Sequence, residues 1–180
     1  MVTIILGNGF EDMEAIAPCD ILRRGGVEVQ LAGIGGKRIV SRCGVTVEAD
    51  CTVEELDLDK VEMIVLPGGL GGVDSILGSP AALDAVQYVW KHENYVAAIC
   101  AAPTVLAKLH ITDGKHATVY PGMEDQMGSA VMEAVPAVRD GRLITGRAAG
   151  AALDFGLLLL AALKGEQAAE AVRRGVVYDR

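Results

Sequence analysis

Cys100 ends the apolar run Tyr95-Val96-Ala97-Ala98-Ile99, and the residues that follow, Ala101-Ala102-Pro103-Thr104-Val105-Leu106, open a helix pattern. Only small residues separate the two patterns. A thiol at such a junction lies over the first unpaired amides of a helix. Their partial positive charge favours thiolate over thiol and makes the sulfur nucleophilic near neutral pH. The position also suits a small apolar filler, because free cysteine is among the most buried residue types.

Two glycine-bearing loops belong with this thiol. Gly7-Asn8-Gly9-Phe10-Glu11-Asp12-Met13-Glu14 follows the first apolar run, and Leu66-Pro67-Gly68-Gly69-Leu70-Gly71-Gly72 follows another. Acids favour a helix N-terminus, which accounts for Glu11 and Asp12. Glu14 lies about one turn further in. Facing the sheet edge, it would be partly desolvated beside a sulfur that prefers to be anionic, and the two cannot both be charged cheaply. The expected compromise is a protonated carboxyl hydrogen-bonded to a thiolate, a coupled pair able to relay protons. Gly68-Gly69 fits an ordinary tight turn, and neither loop has a Walker or GxGxxG spacing. Glycine also permits close backbone approach, so the amides of Gly69 and Ala101 are candidates for an oxyanion hole over Cys100.

No histidine completes a Cys-His dyad. His92 and His110 sit at polar helix ends, and His116 begins the strand-like run His116 to Tyr120, roughly 13 Å from its carboxyl end.

The elements that must position these residues alternate. Short β-branched runs at Val2 to Leu6, Glu28 to Ala32, Met63 to Leu66 and Val96 to Ile99 are interleaved with helix-period stretches at Glu11 to Arg24, Pro80 to Lys91 and Ala102 to Leu109. This pattern is α/β: a mostly parallel sheet with helices on both faces, whose strand carboxyl ends and following loops converge on one ligand-binding edge. Local chemistry agrees. Ser79-Pro80 caps one helix, Thr52 with Glu55 forms a capping box, Gly25-Gly26 ends the first helix, and Pro18 is expected to kink it. Arg38 to Val40 with Thr46 to Ala49 forms a small β-hairpin about Cys43-Gly44. Ala137 to Arg139 with Leu143 to Thr145 forms another about Asp140-Gly141. Helices over Ala151 to Leu163 and Glu166 to Arg173 finish the chain.

The 180 residues are 51% hydrophobic, enough for one domain that buries both faces of a sheet. A net charge of −8 argues against a nucleic-acid partner. Cys19, Cys43, Cys51 and Cys100 form no CxxC pair and the histidines lack zinc-ligand spacing, so no metal is expected. The chain opens on an apolar strand pattern without a signal-like segment, and its longest apolar run, Phe155 to Leu163, is too short to span a bilayer. It reads as a cytoplasmic protein with no membrane partner.

Glu11-Asp12-Met13-Glu14, Leu66-Pro67-Gly68-Gly69, Ala97-Ala98-Ile99-Cys100-Ala101-Ala102-Pro103-Thr104 and Thr145-Gly146-Arg147 resemble the ThiJ/PfpI superfamily, in its parkinsonism-associated deglycase branch. The resemblance spans nearly the whole chain. It implies a flavodoxin-like three-layer sandwich, a single class I glutamine-amidotransferase-like domain over residues 1–180, and a homodimer. It further implies a nucleophilic Cys100 beside a protonated Glu14, oxyanion donors at Gly69 and Ala101, and Arg147 near the mouth of the site. Glyoxalase, deglycase, chaperone and oxidative-stress-sensing roles go with that site, with no cofactor. The protease-like branch has histidine directly after the cysteine; Ala101 stands there, which argues against proteolysis. Where the deglycase branch often has histidine before a proline, this chain has Tyr120 before Pro121. A phenol with a pKa of about 10 is a poor base but donates a hydrogen bond, so Tyr120 is expected to support substrate and Glu14 to move the proton. The expected reaction is conversion of a small 2-oxoaldehyde such as methylglyoxal to a 2-hydroxy acid, or removal of its protein adducts. The alternative is a redox-sensing or chaperone-type stress protein in which Cys100 is oxidised to sulfinate.

Overall fold

The computed structural model describes residues 1–179. In chain order its elements are β1 (Val2–Leu6), α1 (Asp12–Arg24), β2 (Val29–Gly33), β3 (Arg38–Val40), β4 (Thr46–Glu48), β5 (Cys51–Thr52), β6 (Met63–Leu66), α2 (Leu70–Leu77), α3 (Pro80–Lys91) and β7 (Tyr95–Ile99). There follow α4 (Pro103–Lys108), β8 (His116–Ala117), β9 (Val131–Met132), β10 (Ala137–Asp140), β11 (Leu143–Gly146), α5 (Ala152–Lys164) and α6 (Glu166–Gly175).

Seven strands form one sheet in the order β10-β11-β7-β6-β1-β2-β5. All neighbours are parallel except β10 and β11, which pair antiparallel. The central strands β1 and β6 are buried at every position because both of their faces are covered. Successive side chains point to opposite faces. Ile4, Leu6, Val65 and Ile99 pack with α1, α5 and α6, whereas Ile5, Ile64, Leu66 and Ala98 pack with α2, α3 and α4. Burying each large aliphatic side chain contributes about 1.5–3 kcal/mol, and that sum holds the three layers together. Among the described residues no helix is long and apolar enough to cross a membrane.

The expected caps are present. Ser79 Oγ accepts from Ala82 N–H at 3.2 Å, and Glu55 Oε2 accepts from Thr52 N–H at 2.8 Å, closing a single 3-10 turn over Val53–Glu55. The helix α1 continues through Pro18, which faces α5. A Cβ on Gly156 would lie 3.1 Å from the Cα of Pro18, so the two helices approach there at backbone distance.

Three elements differ from the sequence reading. The expected glycine loop continues directly as α2 despite the low helix propensity of Gly71 and Gly72. Their value is steric: a Cβ on Gly72 would lie 2.8 Å from the Cα of Phe10, so a side chain there would push the β1 and β6 loops apart. The expected strand from His116 to Tyr120 is paired only over His116–Ala117, with β9 rather than the main sheet. Thr118 N–H instead donates to Thr145 Oγ1 at 2.8 Å. The helix expected over Ala102 to Leu109 is the short α4, Pro103–Lys108, preceded by a turn at Ala101-Ala102.

Candidate active site

Three loops meet at the carboxyl edge of the sheet. Cys100 follows β7 with φ of +66°, a left-handed conformation uncommon for a residue with a side chain. Such strain costs of order 1–3 kcal/mol and persists where the surroundings over-determine it. Here Cys100 N–H donates to Gly146 O at 2.9 Å, and its carbonyl accepts from Tyr120 N–H at 2.8 Å. The backbone is held from two sides while the thiol turns into a cavity.

Glu14, on the first turn of α1, has no solvent exposure. Its Oε2 accepts from the Gly68 amide at 2.8 Å, while Oε1 is buried without a hydrogen-bond partner of standard geometry. The side chain of Cys100 is the other polar group in reach. Gly68 has no room for a side chain, since a Cβ there would stand 2.6 Å from Glu14 Oε2 and 2.7 Å from Cys100 Cβ. Gly69 adopts φ of +83°, and a Cβ on it would lie 2.4 Å from Gly9 O. The Ala101 amide and its own are the backbone groups that favour the anionic form of the sulfur.

Burial pushes the Glu14 carboxyl up to about 7, against the pull of its hydrogen bonds to Cys100 and Gly68. Burial, then the charge of Glu14 and the hydrogen bond to it, push the Cys100 thiol up to about 12, and the Ala101 and Gly69 amides pull back only in part. A helix N-terminus alone leads one to expect a depressed thiol. That expectation is corrected here: α4 is short and starts beyond the turn, and burial, followed by the charge of Glu14, outweighs the amides. The two groups titrate as one coupled unit that releases one proton near neutrality and holds the other.

A cavity of about 610 Å³ opens over the sulfur. Glu11, Glu14, Arg42, Gly69, Cys100 and Tyr120 line it, together with the apolar Leu70 and Met123 and the small residues Ala148 to Gly150. It thus brings together five of the six residues singled out from sequence, since Ala101 also lines it. Arg147 is the exception. Its N–H donates to Pro136 O at 2.9 Å and its Nη1 reaches Ala134 O at 3.5 Å, which turns the guanidinium toward shallow clefts beside Glu133 and Pro136. The loop that begins at Arg147 supplies a cavity wall through Ala148, Ala149 and Gly150 rather than through the arginine. The cationic side chain that does line the cavity is Arg42, from the tip of the β3–β4 hairpin, 3.1 Å from Glu11 Oε2. The sequence signal for it was the hairpin turn itself, where attention falls on Cys43.

The remaining cysteines and histidines lie outside this cavity. Cys43 is exposed, and a hydrogen bond to Asp12 pushes its thiol up. His92 contacts Tyr88 O, His110 pairs with Asp113 and His116 pairs with Glu133. Among the described residues no group of three or more His, Cys, Asp or Glu side chains is placed to hold a metal ion.

A flavodoxin-like sandwich with a strained cysteine at the β7 turn and a buried glutamate beneath it defines the class of fold. The DJ-1/PfpI family model matches residues 1–162, and the chain belongs to that family. It is 37% identical to protein dj-1beta of Drosophila melanogaster, over 97% of this chain and 95% of that protein. It is 32% identical to a deglycase of Pyrococcus abyssi, over 83% and 90% of the two chains. The crystal structure of Drosophila melanogaster DJ-1beta superposes with a TM-score of 0.93 at 36% identity, covering 99% of this chain and 98% of that one. A cysteine-to-alanine mutant of a Salmonella typhimurium DJ-1 superfamily protein gives 0.94 at 28% identity, covering 99% and 98%.

Proposed function

We propose that the protein is a cysteine-dependent, cofactor-free glyoxalase or deglycase acting on small 2-oxoaldehydes or their protein adducts, with a role in carbonyl and oxidative stress protection. The observation that carries this reading is the division of donors between Glu14 and Cys100. Two amides, from Ala101 and Gly69, favour the anionic sulfur, whereas the carboxyl receives one, from Gly68, and its Oε1 has only the Cys100 side chain in reach. With one proton shared between the groups, placing it on Oε1 satisfies that oxygen and leaves the negative charge on the sulfur, where the two amides stabilise it.

The reaction then follows. The sulfur adds to the aldehyde carbon of methylglyoxal, the carbonyl electron pair moves to oxygen, and that oxygen takes the proton of Glu14, giving a hemithioacetal. Glu14, now a carboxylate, removes the proton from the former aldehyde carbon and delivers it to the neighbouring carbon through an enediol-like intermediate, while the hydroxyl proton passes from the first oxygen to the second, leaving a thioester carbonyl and a new hydroxyl. The resulting thioester is hydrolysed by water, releasing lactate and restoring the pair. The first carbon is oxidised and the second reduced, so no external oxidant is needed. The Gly69 and Ala101 amides stabilise developing oxyanion charge, each worth about 3 kcal/mol of barrier. A name of deglycase in a relative sharing 32% identity supports the same chemistry. The test is lactate formation from methylglyoxal in a chelated, thiol-free buffer, abolished by Cys100→Ser. Normal turnover by that variant removes the proposal.

The same pair supports a second reading, redox sensing. A sulfinate at Cys100 would accept the proton of Glu14 and the two amides as hydrogen bonds. We also propose a homodimer, supported by Met13 and Ile16, which are 54% and 44% exposed on α1.

A further inference from the structure

The cavity over Cys100, at about 610 Å³, falls in the range of pockets that take drug-sized ligands, far larger than a three-carbon aldehyde requires. Its lining mixes two kinds of chemistry. Glu11 and Arg42 compensate one another at 3.1 Å. Leu70, Tyr120 and Met123 add large apolar surface, Leu70 being 70% exposed and Tyr120 48%. Large apolar side chains held open to water beside a nucleophile are the informative exception to ordinary surface composition.

The backbone places each of these residues close to the reacting atoms. Leu70 directly follows Gly69, whose amide favours the anionic form of the sulfur. Tyr120 N–H donates to the carbonyl of Cys100 at 2.8 Å, and Met123 N–H donates to Tyr120 O at 3.0 Å. Leu70 and Tyr120 are therefore each one covalent or hydrogen-bonded step from the groups that hold the nucleophile. We propose that Leu70, Tyr120 and Met123 form a side-chain subsite selecting carbonyl compounds that bear an aryl or branched alkyl group, arylglyoxals among them. The inference rests on the reading above for its reaction, though not for binding at the subsite.

The experiment compares alkylation of Cys100 in the intact protein by iodoacetamide and by iodoacetanilide, followed by peptide mass spectrometry and referred to N-acetylcysteine in the same buffer. Both reagents attack the same sulfur, so its ionisation cancels from the ratio. The expected result is a preference for iodoacetanilide about tenfold above that of the free thiol, the worth of covering a modest apolar area. Leu70→Ser and Tyr120→Ser, at positions exposed enough to keep the fold, each lower that preference. A ratio equal to the free thiol's, a high ratio untouched by both variants, or no alkylation by either reagent overturns the subsite. Loss of methylglyoxal turnover with the preference intact removes the proposed reaction alone, and turnover without the preference removes the subsite alone.

Discussion

The amide of Gly68 donates to Oε2 of Glu14 at 2.8 Å, joining residues 54 positions apart in the chain. The hydrogen bond passes beside the space that a side chain on Gly68 would need, 2.6 Å from that oxygen and 2.7 Å from the Cβ of Cys100. The glycine therefore fixes the separation between the acid and the nucleophile.

Gly68→Ala is expected to move the pair apart by a sizeable fraction of an ångström. Misplacement on that scale costs catalytic groups about 100-fold. The kcat/KM for methylglyoxal should fall by about that factor, with a lower Tm from the same clash. Unchanged kcat/KM in a folded variant would show that the pair does not act at its observed separation.

The pH dependence reports the first proton that the Glu14–Cys100 pair releases. The folded pKa of Glu14 is raised from 4.5 to about 7, so the folded chain binds that proton more tightly than the unfolded chain does. Stability from this group is greatest below pH 4.5 and declines as pH rises to about 7, by roughly 3 kcal/mol in all. Urea unfolding of wild type and Glu14→Gln across that window should show the decline only in wild type. The alkylation rate of Cys100 should likewise rise near pH 7 in wild type. In Glu14→Gln the step moves above that value, because the sulfur must then lose its own proton.

The two arginines make opposite predictions. Arg42→Ala removes a charge from the cavity wall and uncovers Glu11, so KM for methylglyoxal should change severalfold. Arg147→Ala removes a weak contact to a backbone carbonyl, worth about 1 kcal/mol at most, and should leave KM within about twofold. A large KM effect at Arg147 alone would reverse the assignment.

These arginines also show where the sequence was legible. The strands and the Glu14–Cys100 pairing could be read because apolar runs and helix-period stretches alternate, and a doubly wound sheet brings their loops to one edge. Arg42 could not, because its place depends on how a five-residue turn between β3 and β4 folds over α1, and no periodicity encodes that. The helix α2 was hidden by glycines whose purpose is tight contact with Phe10, a tertiary demand that overrides local propensity. The direction of the Cys100 shift was missed for a related reason. The helix-end effect is local and visible in sequence, whereas burial and the charge of Glu14 arise only on folding.

Peroxide should distinguish the four thiols. Cys19 is buried, the Cys43 thiol is exposed and hydrogen-bonded to Asp12, and the Cys51 thiol donates to Gln30 Oε1 and Leu31 O. Cys100 has the cavity, the two amides and the acid. Under mild peroxide, Cys100 is expected to gain two oxygens first, seen by peptide mass spectrometry, and Glu14→Asp or Glu14→Gln should reduce accumulation of that product. Earlier oxidation of Cys43 would remove the redox-sensing reading.

Met13 and Ile16 stand three residues apart on α1, so they share one face of the helix, and both are about half exposed. Glu14 lies between them in sequence but points inward, fully buried. A second copy covering that face would therefore brace the helix that carries the acid. Sedimentation of the wild type should give a dimer, and Met13→Glu or Ile16→Glu, which place a charge on the face without touching the core, should give monomers with lower kcat for methylglyoxal. A wild-type monomer, or charged variants that remain dimeric, would place the interface elsewhere or remove it.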